Sequence, residues 1–164
     1  MDFQIRPTAQ ADLPAIVGIR NEAIATTLAL WTDEPGDLAE RTAWLRDHEA
    51  AGLPVLSAVA DKEVLGFGCL SSFRGLPGYA ATAEDSIYVA SAARGRGVGS
   101  ALLAALIDAA AHRNLHTVIA AIEAGNGASI SMHRRAGFTS VGTLRQVGRK
   151  RGQWLDLTYL QLLV

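Results

Sequence analysis

Val89-Ala90-Ser91-Ala92-Ala93-Arg94-Gly95-Arg96-Gly97-Val98-Gly99-Ser100-Ala101-Leu102-Leu103 joins a strand end, a turn rich in glycine and arginine, and the start of an amphipathic helix. Ile87 and Val89 flank Tyr88 two residues apart, as on a strand. From Val98 onward the apolar positions are Val98, Ala101, Leu102, Ala105, Leu106 and Ala109, which is helical spacing. Gly95, Gly97 and Gly99 let a ligand approach the backbone and leave its N–H groups unhindered. A helix N-terminus adds roughly half a positive charge at the same place. The segment is therefore expected to cradle a pyrophosphate, through Arg94, Gly95, Arg96, Gly97, Val98, Gly99 and Ser100, and to bind a nucleotide-like cofactor.

Two common phosphate sites do not fit. A dinucleotide fold places G-x-G-x-x-G after its first strand, with an acid about twenty residues on. Here the motif lies past mid-chain and reads Arg94-x-x-Gly97-x-Gly99. A P-loop needs Lys and Ser or Thr after its last glycine, and neither pair follows Gly99 in that order. The alternative reading is a glycine-rich turn that only starts a helix.

The 164 residues, 49% of them hydrophobic, predict one domain with one sizeable core. A net charge of −1 gives no global attraction for nucleic acid. Basic residues gather only locally, at Arg94 and Arg96 and again at Arg145, Arg149, Lys150 and Arg151. Cys69, the single cysteine, lies in the apolar run Leu65 to Leu70 and reads as a small core residue. Met1 to Arg6 enters a strand at once, with no signal peptide. No apolar run reaches the roughly 18 residues of a membrane helix. These features predict a cytoplasmic protein with no membrane partner. His48, His112 and His116 fit no metal spacing, and no nucleophile elbow occurs, so no metal site and no Ser-His-Asp chemistry are expected.

Strands are expected at Phe3 to Ile5, Val55 to Ala60, Val64 to Ser72, Ala83 to Val89, Thr117 to Ile122, Phe138 to Leu144 and Trp154 to Leu162. Asp61-Lys62-Glu63 is a tight turn. Thr8 or Asp12 is expected to cap a first helix carrying Leu13, Ile16, Val17, Ile19, Ala23 and Ile24. Trp31 to Gly36 is a loop. A second helix runs from Asp37 to Ala51 with Leu38, Trp44 and Leu45 inward, ended by Gly52. A short helix from Asn126 to Ala136 stops at Gly137. The order β-α-α-β-β-β-α-β-α-β-β predicts an α/β protein, a mixed sheet with helices on both faces.

Arg94-x-x-Gly97-x-Gly99 after a strand resembles the acetyl-CoA signature of the GNAT N-acetyltransferases. Asn126-x-x-Ser129-x-x-x-His133-x-x-x-Gly137-Phe138 is similar to that superfamily's Asn-x-x-Ala-x-x-x-Tyr-x-x-x-Gly-Phe. Within it, Thr82-Ala83-Glu84-Asp85-Ser86-Ile87-Tyr88-Val89 looks like the Thr-Val-Glu-(His)-Ser-Val-Tyr-Val of the phosphinothricin and methionine sulfone/sulfoximine acetyltransferases. The tail Gln146 to Leu157 looks like their Val-Gly-x-Lys-x-Gly-x-Trp-x-Asp, and Asn21, Thr27 and Trp31 fall where that branch has Asn, Thr and Trp. The resemblance implies the GNAT fold, a mixed, mostly antiparallel seven-stranded sheet, with acetyl-CoA as acetyl donor, a small amino-acid-like amine as acceptor, and a homodimer. The chain departs from the branch at Phe73 (Trp there), at Arg20 (Tyr there) and at Asp85, all near the implied acceptor pocket.

An amine must lose a proton before it attacks a thioester. The resemblance implies Glu84 as that base, and a carboxyl in a partly apolar cleft can rise to about 6–7. The plain alternative is a solvated strand carboxylate. The backbone N–H near Val89 is implied as the oxyanion donor, with Ile87 and Tyr88 beside the cofactor. His133 takes the slot of the usual Tyr, as an acid, a positioning group, or a ring that only holds its helix to the sheet. Asn126 and Ser129 are implied cofactor contacts. Arg74 has a fork suited to a carboxylate and is otherwise an exposed loop arginine. Trp31, Phe73, Arg74, Glu84, Asp85 and Lys150 make up the implied acceptor site, with Trp154 shaping it beside a dimer partner or simply lying in the core. A different amine (a protein N-terminus, polyamine or aminoglycoside) and a non-catalytic CoA-binding module are the competing functions. The loops are not strongly acidic, which disfavours the polycations.

Overall fold

The computed structural model describes residues 2–164. Seven strands form one sheet: β1 (Gln4–Pro7), β2 (Val55–Ala60), β3 (Glu63–Ser72), β4 (Thr82–Val89), β5 (Thr117–Glu123), β6 (Thr139–Lys150) and β7 (Gln153–Leu163). Their spatial order is β1-β2-β3-β4-β5-β7-β6. Only β4 and β5 run parallel, and every other neighbouring pair is antiparallel. The β2–β3 hairpin turns on Asp61 and Lys62, both at positive φ (47° and 71°), the twist a two-residue hairpin needs. The last two strands are longer than expected. Their ladder carries register shifts between Ser140 and Gly142 and between Leu144 and Gly148, so the polar run after Leu144 still pairs.

Four helices cover the sheet: α1 (Leu13–Thr26), α2 (Leu38–Ala50), α3 (Val98–His112) and α4 (Gly127–Arg135). The strand period sorts β4 between them. Ala83 joins Leu103, Leu106 and Ala110 of α3, with Ile87 packed against the same cluster. Tyr88, on the opposite face, joins Leu13, Ile16 and Ile19 of α1, Leu45 of α2 and Phe67 of β3. Gly68 lets α3 lie close to β3, since a Cβ there would stand 3.0 Å from Leu106 Cδ1.

Three helix-start expectations need correction. Asp12 does not cap α1. Its carboxylate takes both Arg6 N–H groups (2.6 and 2.8 Å) and the Ala9 N–H (2.8 Å), closing the 3-10 turn that leads into the helix. Thr8 is bonded to Ser57 Oγ instead (2.7 Å). Leu38 is 49% exposed, because as the first residue of α2 it precedes the buried pair Arg41 and Leu45. Asp37 does cap α2, accepting the Glu40 N–H at 2.8 Å. Among the described residues no helix is long and apolar enough to cross a membrane.

Candidate active site

The site is a split in the sheet. β4 pairs with β5 only from Thr82↔Thr117 to Asp85↔Ala120. Beyond that, β4 continues to Val89 beside β3 alone, and β5 continues beside β7. The Ala90 N–H donates to Leu65 O, so Tyr88 and Ala90 direct their peptide groups toward β3. The alternate residues Ile87 and Val89 then direct N–H and C=O into the gap. An open strand edge of this kind is a template for an extended, amide-bearing ligand.

A cavity of about 690 Å³ opens on the gap, lined by Ile87, Tyr88, Val89, Arg94, Gly95, Gly97, Val98, Gly99, Ser100, Asn126 and Ser129, all expected from sequence. Gly95 and Gly97 hold left-handed backbone (φ 72° and 83°), with Gly97 as the residue before α3. The α3 N–H groups thus meet the cavity without a side chain between. Arg94 Nε donates to Val89 O at 3.2 Å, and the remaining guanidinium N–H groups stay on the exposed side. Arg96 does not line the cavity; it folds back on Ala92 O (3.4 Å). Asn126 caps α4, accepting the Ser129 N–H at 3.1 Å. Sequence reasoning missed Ala23, Thr27, Leu28 and Ala29 from the end of α1, and Glu123, Met132 and Arg135. No local pattern marks them, because they meet only through the packing of α1 and α4 around the split.

A side chain at Gly97 would need left-handed backbone and would project into the cavity. Gly97→Val is expected to abolish calorimetrically measurable acetyl-CoA binding in a protein that still unfolds cooperatively. Unchanged affinity would remove this loop from the binding site.

Glu84 lies on the α1/α2 face of β4, opposite Ser71. It is half-buried and sits deeper along the strand than the cavity lining. Burial, then the Asp85 charge, hold its carboxyl above the usual carboxylate range. A group so placed is a ready proton acceptor.

Asp85, expected at the acceptor, points to the other face and corrects that assignment. Its Oδ2 lies 3.0 Å from His133 Nε2, and His133 Nδ1 lies 2.8 Å from Ser129 O. Against an ionised Asp85, a carbonyl and a carboxylate both only accept, so the ring is placed to donate from both nitrogens as an imidazolium, with Ser129 Oγ farther from Nδ1 at 3.4 Å. Burial opposes that charge, but the Asp85 hydrogen bond and charge and the Ser129 carbonyl outweigh it, and His133 titrates above its ordinary value. The ring is 3% exposed and stands edge-on to Phe138 at 5.0 Å. Both N–H groups are occupied, so in this arrangement His133 offers none to the gap. The pair lines the narrow inner end of the split, a space of about 80 Å³ shared with Ser86, Asn126 and Ser129.

Lys150 is also corrected. It is 2% exposed, and its Nζ donates to Ile24 O (2.7 Å) and Thr27 O (2.9 Å) at the C-terminus of α1. Arg151 joins it on Ile24 O (3.2 Å). Cations favour the negative end of a helix, so the β6–β7 hairpin tip is a clasp on α1 and not a substrate contact. Trp31 lies against Gly148 of β6, where any Cβ would meet its ring, and its Nε1 donates to Leu28 O at 3.0 Å. Trp154 is 61% exposed under Arg149, not in the core. Phe73 and Arg74 sit in the β3–β4 loop, outside the cavity. The Arg74 guanidinium stands 5.2 Å from the Phe73 ring and 5.9 Å from that of Tyr79, and among the described residues it meets no carboxylate. Tyr79 was not anticipated.

Proteins of known family share this arrangement. The family model for the acetyltransferase (GNAT) family matches residues 16–138. The L-methionine sulfoximine/L-methionine sulfone acetyltransferase of Pseudomonas aeruginosa is 47% identical over 163 residues, 99% of this chain and 95% of its own. A solved phosphinothricin acetyltransferase of Sinorhizobium meliloti, in complex with AcCoA, superposes with a TM-score of 0.96 at 32% identity, covering 100% of this chain and 89% of its own. A ribosomal-protein-alanine N-acetyltransferase structure from Brucella melitensis gives 0.97 at 46% identity, covering 98% and 99%. The parallel pair that parts halfway, the left-handed glycines at the start of α3 and the full-length matches agree: this chain belongs to the GNAT acetyltransferase family.

Proposed function

We propose that this enzyme moves the acetyl group of acetyl-CoA directly to the α-amino group of a small amino-acid-like acceptor, of the methionine sulfone, methionine sulfoximine or phosphinothricin kind, within a ternary complex. The observation that carries the chemistry is the placement of two groups on one strand. Val89 directs its N–H into the donor-side gap, and Glu84 keeps a proton-accepting carboxyl on the opposite, acceptor face. The acceptor class is supported by the 47% identity to the Pseudomonas aeruginosa enzyme.

Glu84 takes a proton from the acceptor ammonium, directly or through one water. The freed nitrogen attacks the thioester carbonyl carbon, and the oxyanion is held by the Val89 N–H. Collapse breaks the carbon–sulfur bond, and the thiolate leaves with the CoA and takes up the second proton that the attacking nitrogen sheds, which leaves the neutral amide. Arg94, Ser100 and the glycine N–H groups hold the pyrophosphate at the α3 terminus. His133, bonded at both nitrogens, acts as a positioning group that fixes α4 against β4.

A zwitterionic acceptor brings an anion that must be paired once desolvated, and the unpaired Arg74 fork suits it. Arg74→Ala is expected to raise the acceptor KM about 10- to 30-fold, equivalent to about 1.4–2 kcal/mol, with a far smaller change in kcat. A thiol-release screen over free amino acids, their sulfone and sulfoximine analogues, phosphinothricin and an alanine-headed peptide tests the acceptor. Faster turnover of the peptide, or equal turnover of amino acids and their decarboxylated amines, would overturn the reading.

The enzyme is further proposed to be a homodimer. β6 is an edge strand bonded to β7 alone, and exposed Val141, Leu144, Val147 and Trp154 make this pair apolar on its outside. Light scattering at micromolar concentration is expected to give twice the chain mass.

A further inference from the structure

Ser71 and Glu84 stand directly opposite each other on the β3–β4 ladder. The side chains of such a pair start about 5 Å apart on the same face. Ser71 also meets α2. Its Oγ lies 3.0 Å from His48 Nε2, and His48 Nδ1 lies 2.8 Å from Trp44 O. The carbonyl can only accept, so Nδ1 carries the proton, and in the neutral ring Nε2 is a bare acceptor. In that form of the ring the Ser71 hydroxyl is the donor to Nε2, and its one proton is committed there. On its other side, the Cys69 thiol lies 3.9 Å from Ser71 Oγ. Burial pushes that thiol up to about 11, so it stays protonated and Ser71 is the acceptor. Ser71, the cross-strand neighbour of Glu84, is thus left with no proton to donate to it. Among the described residues no side chain or backbone N–H donates to the Glu84 carboxyl.

We propose that His48 is a positioning residue for the base: by drawing the Ser71 hydroxyl proton to Nε2, it denies the Glu84 carboxylate a donor and keeps it a strong proton acceptor. The inference rests on Glu84 acting as the base. A donor to a carboxylate favours its charged form and weakens it as a base, so the direction of the Ser71 O–H sets how readily Glu84 takes a proton. The His48 ring is held for this by Trp44, whose ring centroid is 4.8 Å away. The other titratable and charged groups around the cluster are Cys69 on β3, Asp85 and Tyr88 on β4, Arg41 on α2 and Arg20 on α1. None of the charged ones is hydrogen-bonded to Ser71 or Glu84 among the described residues.

The test is the pH profile of kcat with saturating acetyl-CoA and methionine sulfone. His48→Phe keeps a ring against Trp44 and frees the Ser71 hydroxyl to turn to Glu84. Its acid limb is expected to move down by about 0.5–1 pH unit, one ordinary hydrogen bond, with a plateau lowered a few-fold. Adding His48→Phe to Ser71→Ala is expected to move the limb no further, because there is no hydroxyl left to redirect. His48→Leu repeats the test should the larger ring disturb folding. A limb that Glu84→Gln abolishes but His48→Phe leaves in place overturns this inference alone. So does an equal shift with and without the Ser71 hydroxyl. A limb that survives in Glu84→Gln overturns the assignment of the base, and this inference with it.

Discussion

Glu84→Gln lowers kcat by about 10²–10⁴-fold, the range for losing a general base, while acetyl-CoA affinity barely moves. The two effects separate because Glu84 and the turn proposed to hold the cofactor lie apart, Glu84 deep on the α1/α2 face of β4 and the turn beyond its end at Val89. Loss of fold is not the cause, and the sign of the linkage shows why. The Glu84 carboxyl is held above its ordinary range by burial and by Asp85, so the folded protein binds this proton more tightly than the unfolded chain. An acid raised in this way favours the folded state at low pH, and that contribution is lost as pH rises through its folded value. Once ionised, Glu84 is thus a destabilising group, and Gln at this position leaves thermal stability unchanged or higher. In the wild type, kcat falls as pH drops through the raised value of Glu84, and the variant loses this limb. Turnover of the variant within a few-fold of wild type across pH would show that another group takes the proton.

Asp85→Asn costs about 3 kcal/mol or more of stability near pH 6, the range for removing one partner of a buried ion pair. The His133 imidazolium and the Asp85 carboxylate are nearly inaccessible, and Asn leaves the ring to donate to a weaker, neutral acceptor. The pH dependence follows from the raised value of His133. Its stabilising contribution is fully present below the unfolded histidine value, about 6.5, and is lost as pH rises through the higher folded value. The gap between wild type and variant is therefore widest on the acid side and narrows in alkali. Urea unfolding of both proteins at pH 6 and pH 9 measures it. A gap of equal size at both pH values would mean that the ring is neutral in the fold. Acetyl-CoA affinity is expected to weaken with stability, because the pair joins β4 to α4, the two walls of the split.

The glycine-arginine turn and the strand and helix on either side were legible in the chain, because they are decided within a few residues. Gly95 and Gly97 supply left-handed backbone, Asp37 and Asn126 cap their own helices, and Asp61-Lys62 closes a two-residue hairpin. The direction of Asp85 was equally legible. A strand alternates faces, so a residue next to Glu84 cannot share its side of the sheet. Resemblance of motif placed it at the acceptor, and the geometry of the strand places it against His133.

The sequence by itself determined the order of elements, the glycine-rich turn that starts α3, the strand carrying Glu84 and the family, since each is written in local spacing. Only the tertiary structure decided where β4 and β5 part, because strand pairing joins residues far apart in the chain and the last pair, Asp85↔Ala120, carries no signal in either segment. The same holds for Lys150, which reads as a basic turn residue until α1, 126 positions earlier, brings the carbonyl of Ile24 to its ammonium. It holds for His133 as well, which titrates above its ordinary value because packing sets it beside a carboxylate 48 residues away. Backbone conformation is a short-range property and can be read along the chain; burial and pairing, which set the charge and basicity of these groups, arise only when distant segments close on one another.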